Sequence, residues 1–160
     1  MKLSSKILGG LLVAIVATSA SAQTATQTVT FQVDAINLVG VTGTPSLVIN
    51  TATAGSAPTS ATSSGNTWAV TTNQTGAKIT ASIASNMPAG LTLSATMGAP
   101  AGATSAGAKT LSTVAVDMVT TITKLAASGL TLSYQLDATA AAGVVTSTTR
   151  VVTFTITGGV

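Results

Sequence analysis

Apolar and polar residues alternate in short runs along much of the chain, and this period of two is the pattern of half-buried β-strands. The earliest run is QTVTFQV, in which Val29, Phe31 and Val33 share one face. Further runs are PSLVIN, TWAVTT, KITASIA, GLTLSATM, GLTLSYQLD and RVVTFTIT. Threonine and valine fill most of them, and β-branched side chains suit a pleated sheet. Turn-rich segments such as ATAGSAPTSATSSGN and MGAPAGATSAGAK separate the runs, so the pattern predicts an antiparallel β-sandwich.

The segment TLSTVAVDMVTTITKLAASG fits two structures. Its apolar residues recur at spacings of three and four, which suits a helix. Its threonine and valine content favours a strand from Leu111 to Val116 followed by a turn. A short helical turn over residues 117–126 is the alternative. The helical spacing is carried by Leu111, Val114, Met118, Ile122 and Leu125.

The start of the chain has the features of a secretory signal peptide. Lys2 and Lys6 flank a short positive start, and Ile7 to Ala17 is an uncharged, mostly apolar run. Ala20 and Ala22 are small at the −3 and −1 positions of a cleavage site. The run is shorter than the roughly 20 residues that span a bilayer. Gly10 would also suit a prepilin-type leader, but that leader normally has a glutamate soon afterwards and this chain has none. We expect residues 1–22 to be removed during export through the general secretory route.

Removing 22 residues from the 160 leaves 138, the length of one domain with a real core, over residues 23–160. The chain has no cysteine, which excludes disulfides and a cysteine-linked lipid anchor, and we expect no other membrane anchor. The remaining charges are few and isolated, unlike those of a nucleic-acid-binding protein. A surface so poor in charge has little self-repulsion and permits close association of copies. The charges are Lys78, Lys109, Lys124 and Arg150 against Asp34, Asp117 and Asp137, a net +1.

The residues that usually carry chemistry are scarce. Without histidine, cysteine or glutamate, the chain lacks the usual general bases and most metal ligands, so we predict neither an enzyme nor a cofactor. A serine–lysine pair remains an alternative. So does a lysine isopeptide bond, for which Lys78, Lys109 and Lys124 are the candidates, with Asp117 or Asp137 as helper.

The aromatic residues are few and are predicted to be core. Trp68, the only tryptophan, lies near the start of a strand; an exposed tryptophan could stack on a sugar, but binding platforms usually have several aromatics. Phe31, Tyr134 and Phe154 alternate with aliphatic residues and are also predicted to be core. The triplet at residues 73–75 matches a glycosylation acceptor.

The chain resembles the pilin-like subunits of secreted bacterial filaments that assemble by donor-strand exchange. The leader, the early strand QTVTFQVDA and the closing strand RVVTFTITGG carry the resemblance. It implies an all-β fold, a single antiparallel β-sandwich of the Ig-like or pilin-like kind, with residues 24–34 as a donor strand. Chaperone–usher pilins commonly have a disulfide and a tyrosine near the C-terminus, which this chain lacks. A chaperone-independent filament or surface-layer component therefore fits better.

On this interpretation the donor strand enters a groove beside the closing strand. An extended segment added to a sheet edge gains main-chain hydrogen bonds, and its alternate side chains fill pockets. The strand's own domain could supply that groove as well as a neighbour could. The interface residues would be Val29, Phe31 and Val33 of the donor and Val152, Phe154 and Ile156 of the groove.

Two functions follow from these observations. The first is a structural subunit of an extracellular filament or cell-surface assembly, whose partners are copies of itself. The alternative is a monomeric secreted binding module, adhesive or directed at carbohydrate. Neither involves nucleic acid.

Overall fold

The structure is a computed structural model that describes residues 21–160. The signal peptide predicted over residues 1–22 lies outside the described residues, except for its last two positions. The chain divides into two units, one ending at Gln32 and the other covering Val33–Val160. Residues 21–32 of the first unit contain no strand, so the regular structure of the described chain lies in the second unit.

The second unit is built from nine β-strands and one short 3₁₀-helix. In chain order the strands are β1 (Asn37–Thr42), β2 (Ala61–Thr72), β3 (Ala77–Ile83), β4 (Leu91–Met97), β5 (Thr104–Ser105), β6 (Lys109–Thr110), β7 (Val116–Ile122), β8 (Leu125–Ala138) and β9 (Val152–Thr157), with the 3₁₀-helix at Ala140–Ala142.

The strands form two antiparallel sheets. The first contains five strands in the order β1-β2-β8-β4-β6, and the second contains four in the order β5-β7-β3-β9. Every neighbouring pair is antiparallel. Residues 21–160 contain no α-helix. The prediction of an all-β, antiparallel fold is therefore confirmed.

Strand β3 shows how the sequence pattern produces the core. Its alternate residues Ala77, Ile79, Ala81 and Ile83 are buried, because β3 lies between β7 and β9 and turns this face toward the other sheet. Both sheets contribute to one hydrophobic cluster, which burial of apolar side chains stabilises. The largest fully buried side chains are Trp68, Ile79, Met97, Met118, Ile122, Val70 and Val119.

The strand register defines two opposite ends of the second unit. At one end, which we call the Asn73 end, β1 begins and both β2 and β9 end. At the other, which we call the Val152 end, β9 begins and β3 ends. The pairs that fix these positions are Asn37–Thr72, Lys78–Thr157 and Ile83–Val152.

Five of the predicted runs lie in strands: TWAVTT in β2, KITASIA in β3, GLTLSATM in β4, GLTLSYQLD in β8 and RVVTFTIT in β9. The strand predicted at PSLVIN is wrong, because residues 45–50 have no backbone partner even though Leu47 packs against the core. The loop predicted at ATAGSAPTSATSSGN is wrong in its second half, where β2 begins at Ala61. The pattern missed β1, since its sequence NLVGVT does not alternate cleanly.

The ambiguous segment contains a strand, but not where it was predicted. The strand placed from Leu111 to Val116 is wrong, because β7 begins at Val116, and the helical turn over residues 117–126 is wrong as well. The chain passes instead through a tight turn that includes Lys124 and enters β8. A register irregularity between β3 and β7 accompanies the burial of two consecutive residues, Met118 and Val119. Such bulges disturb simple period-two patterns.

Candidate functional site

Residues 24–34, which we call the N-terminal segment, are neither in a strand nor in a β-bridge of the described chain. Val29, Phe31 and Val33 are 72%, 89% and 77% exposed. The prediction that Phe31 is a core residue is therefore wrong for the single chain, because its side chain lies outside both sheets of the described residues and is almost fully exposed. Exposed apolar side chains at regular positions commonly mark an interaction site.

Residues 34–36, which we call the root of the N-terminal segment, are held by the side chain of Asn73. Its Nδ2 donates to the carbonyl oxygen of Asp34 at 2.7 Å, and its Oδ1 accepts from the backbone N–H of Ile36 at 2.8 Å. The backbone N–H of Asn73 donates to the carbonyl oxygen of Ile36 at 3.3 Å. These three bonds fix residues 34–36 at the Asn73 end.

A polar network supports Asn73 from its neighbours in the chain. Asn37 donates from Nδ2 to Oε1 of Gln74 at 2.7 Å and accepts at Oδ1 from the hydroxyl of Thr72 at 2.7 Å. The backbone N–H of Gln74 donates to that hydroxyl at 3.1 Å. The amide of Asn73 is thus engaged in structure, although the triplet it begins matches a glycosylation acceptor. Sequence reasoning missed this role, since Asp34 lies 39 positions away.

We predict that Asn73→Ala loosens the root without unfolding the protein. Loss of the side-chain bonds should lower the free energy of unfolding by about 1 kcal/mol. Exchange of the Ile36 amide hydrogen should become about five-fold faster, the factor that 1 kcal/mol corresponds to. Hydrogen-exchange NMR measures this. Asn73→Asp is the matched control: it keeps the acceptor for Ile36 and should preserve its protection. Equal protection of Ile36 in wild type and Asn73→Ala would contradict the assignment.

Strand β9 forms one edge of the four-stranded sheet and pairs only with β3 in the described chain. Residues directly opposite in an antiparallel pair point to the same face. Val152, Phe154 and Ile156 therefore face the core, since they lie opposite buried residues of β3. All three are only half-buried. This edge leaves their inner face open to solvent. The opposing β3 residues are Ile83, Ala81 and Ile79.

Strand β1 forms an edge of the other sheet and is open in the same way. Val41 lies opposite Trp68, which is 1% exposed, so Val41 faces inward. It is nevertheless 47% exposed. Inward-facing apolar side chains on edge strands of both sheets are thus accessible to solvent.

An open groove of about 810 Å³ lies at the Val152 end. Its lining includes Leu93 and Leu136 from the five-stranded sheet and Val152 from β9. Arg150 lies at the same groove and donates from Nε to the carbonyl oxygen of Asn86 at 3.3 Å. The groove thus combines an apolar floor with one cation.

Trp68, Tyr134 and Lys78 each lie in an environment set by packing or by an ion pair. Trp68 is buried and donates its indole N–H to the carbonyl oxygen of Gly98 at 3.1 Å, so it cannot stack on a sugar. Tyr134 is also buried, as predicted, and burial raises its pKa above the ordinary value. Lys78 pairs with Asp117 at 3.0 Å, but both side chains are half-exposed, and such pairs contribute little.

Residues 21–160 contain no group of three side chains able to hold a metal ion. No helix in this part of the chain is both long and apolar enough to cross a membrane.

No protein-family model, curated protein or solved structure matches the chain. The function is therefore inferred from the geometry of the N-terminal segment and of the open edges.

Proposed function

We propose that the chain is a structural subunit of an extracellular filament or cell-surface assembly, in which the N-terminal segment of one copy completes a sheet of the next. One observation carries the proposal: the same chain has an exposed segment with three alternate apolar side chains and an open edge with three half-buried inner ones. The finer description of the fold as an Ig-like or pilin-like sandwich belongs to this proposal.

The energetics favour such an addition. Val29, Phe31 and Val33 would each contribute about 1.5–3 kcal/mol when moved from water into a groove. Backbone hydrogen bonds to the free edge of β9 would add to this, because that edge presents N–H and C=O groups that pair with no strand of the described chain. The association entropy opposes these gains, so all three side chains matter to the balance.

The two ends of the second unit suit a head-to-tail arrangement. The root of the N-terminal segment is fixed at the Asn73 end, and the groove lies at the Val152 end. A contact between different surfaces of identical copies repeats without closing, unless the rotation between copies forms a ring. Such a contact would produce an open chain of subunits.

The alternative, a monomeric secreted binding module, has less support. A carbohydrate platform would need exposed aromatic side chains, and Trp68 and Tyr134 are buried. Phe31 is an exposed aromatic residue, at 89%, but it lies on the N-terminal segment, which we propose pairs with the next subunit.

The direct test is the assembly state of exported protein. Mass spectrometry should find Gln23 as its first residue, as cleavage after Ala22 requires. Light scattering should then detect polymers in the native protein, and negative-stain microscopy should show filaments of one subunit's width. Monodisperse monomers at concentrations up to the millimolar range would exclude the subunit function and favour the binding module.

A further inference from the structure

We infer that the incoming N-terminal segment runs antiparallel to β9 of the neighbour, in the register that sets Phe31 opposite Phe154. This inference rests on the proposed function and specifies its interface. It follows from the positions of the segment's root and of the two ends of β9.

The direction follows from connectivity. The segment is fixed to its own subunit at residues 34–36. In a head-to-tail contact, residue 33 therefore lies at the Val152 end of the neighbour, and residue 24 lies farthest from that end. Its chain direction then runs toward the Val152 end. Strand β9 runs away from that end, because Val152 begins it and Thr157 ends it. The two strands are therefore antiparallel.

Insertion into the segment's own groove would have the opposite direction. The root lies at the Asn73 end, where β9 also ends. A segment returning from there along its own β9 would run parallel to it. Strand direction thus distinguishes exchange between copies from completion of the chain's own sheet.

The register follows from matching faces and lengths. The stretch of residues 28–33 is six residues long, and β9 has the same length. Placing Val33 where the segment enters, opposite Val152, also places Phe31 opposite Phe154 and Val29 opposite Ile156. All six inward side chains then lie on one face, as opposite residues in antiparallel strands must. A shift of one residue would turn the apolar side chains of the segment outward.

Cysteine pairs test direction and register together, because the natural chain has no cysteine. The outward faces of the two strands carry polar residues whose replacement leaves the core intact. Directly opposite residues have Cα atoms about 4.5–5.5 Å apart, within reach of a disulfide. The matched pairs are Gln32→Cys with Thr153→Cys, and Thr28→Cys with Thr157→Cys. The swapped pairs, Gln32→Cys with Thr157→Cys and Thr28→Cys with Thr153→Cys, would lie about 13 Å apart.

We expect each matched pair, oxidised in the exported native protein, to give a ladder of covalent multimers on a non-reducing gel that collapses with reductant. The swapped pairs should give at least ten-fold less covalent multimer. The protein could still polymerise while the swapped pairs link copies, or while neither set of pairs forms a disulfide. Either result would overturn the register and leave the proposed function standing. Swapped pairs that link within single chains, in protein that is monomeric by light scattering, would overturn both.

Discussion

Exported protein carrying Phe31→Asp should remain folded and form no polymers. Phe31 is 89% exposed in the single chain, so the substitution removes no contact within the core. In the proposed assembly the same position lies against an apolar groove. An unpaired buried charge costs several kcal/mol, which exceeds the contribution of one apolar side chain to the pairing. Circular dichroism should show an unchanged β-sheet spectrum, while light scattering should show loss of polymer by at least ten-fold.

Thr30→Asp is the matched control, because it places the same charge one residue away on the outward face. Its polymers should form at nearly the wild-type concentration. Unfolding of Phe31→Asp in a protein that was monomeric beforehand would show that the segment belongs to its own domain. Equal polymerisation of both variants would show that the segment is not at the interface.

Trp68→Ala should lower the free energy of unfolding by about 3–5 kcal/mol. Trp68 is 1% exposed and is the largest fully buried side chain, so the substitution leaves a cavity between the two sheets. It also removes the indole N–H that donates to the carbonyl oxygen of Gly98. Domains of this size have only about 5–15 kcal/mol of stability, so the variant should unfold at much lower urea concentration.

Val114→Ala is the control for this change, because Val114 is exposed and outside the hydrophobic cluster. Its free energy of unfolding should change by no more than about 0.5 kcal/mol, as is usual for surface substitutions, so its urea midpoint should stay close to that of the wild type. A midpoint for Trp68→Ala that equals that of Val114→Ala would show that the core does not depend on the indole ring.

The alternating pattern predicted strands where one face of a strand is buried and the other is not. In β3 the buried Ile79 and Ala81 alternate with the polar Thr80 and Ser82, so the sequence pattern predicts the strand and its buried face correctly. It failed where burial does not follow the pleat. Two adjacent residues of β7 are both buried beside a register irregularity, and Leu47 packs on the core without belonging to a strand.

The candidate site was only half visible in the sequence. Alternation identified the apolar face of residues 29–33 and the inner face of β9, because both are properties of local spacing. It could not reveal that residues 24–34 lie outside both sheets of the described chain, nor that Val41 lies at an open edge, since both depend on which strands become neighbours. The bonds from Asn73 to residues 34–36 were hidden for the same reason.

The order of the strands also constrains how the protein folds. Ile83 pairs with Val152 and Ala61 pairs with Leu136, across separations of 69 and 75 positions, so large loops must close before these contacts form. Proteins dominated by such distant pairings fold in roughly milliseconds to seconds. The four-stranded sheet cannot be completed until residues 152–157 have been synthesised. Until then the edge of β3 that pairs with β9 lacks its partner, so in order of synthesis β9 is the last strand available to the sheet.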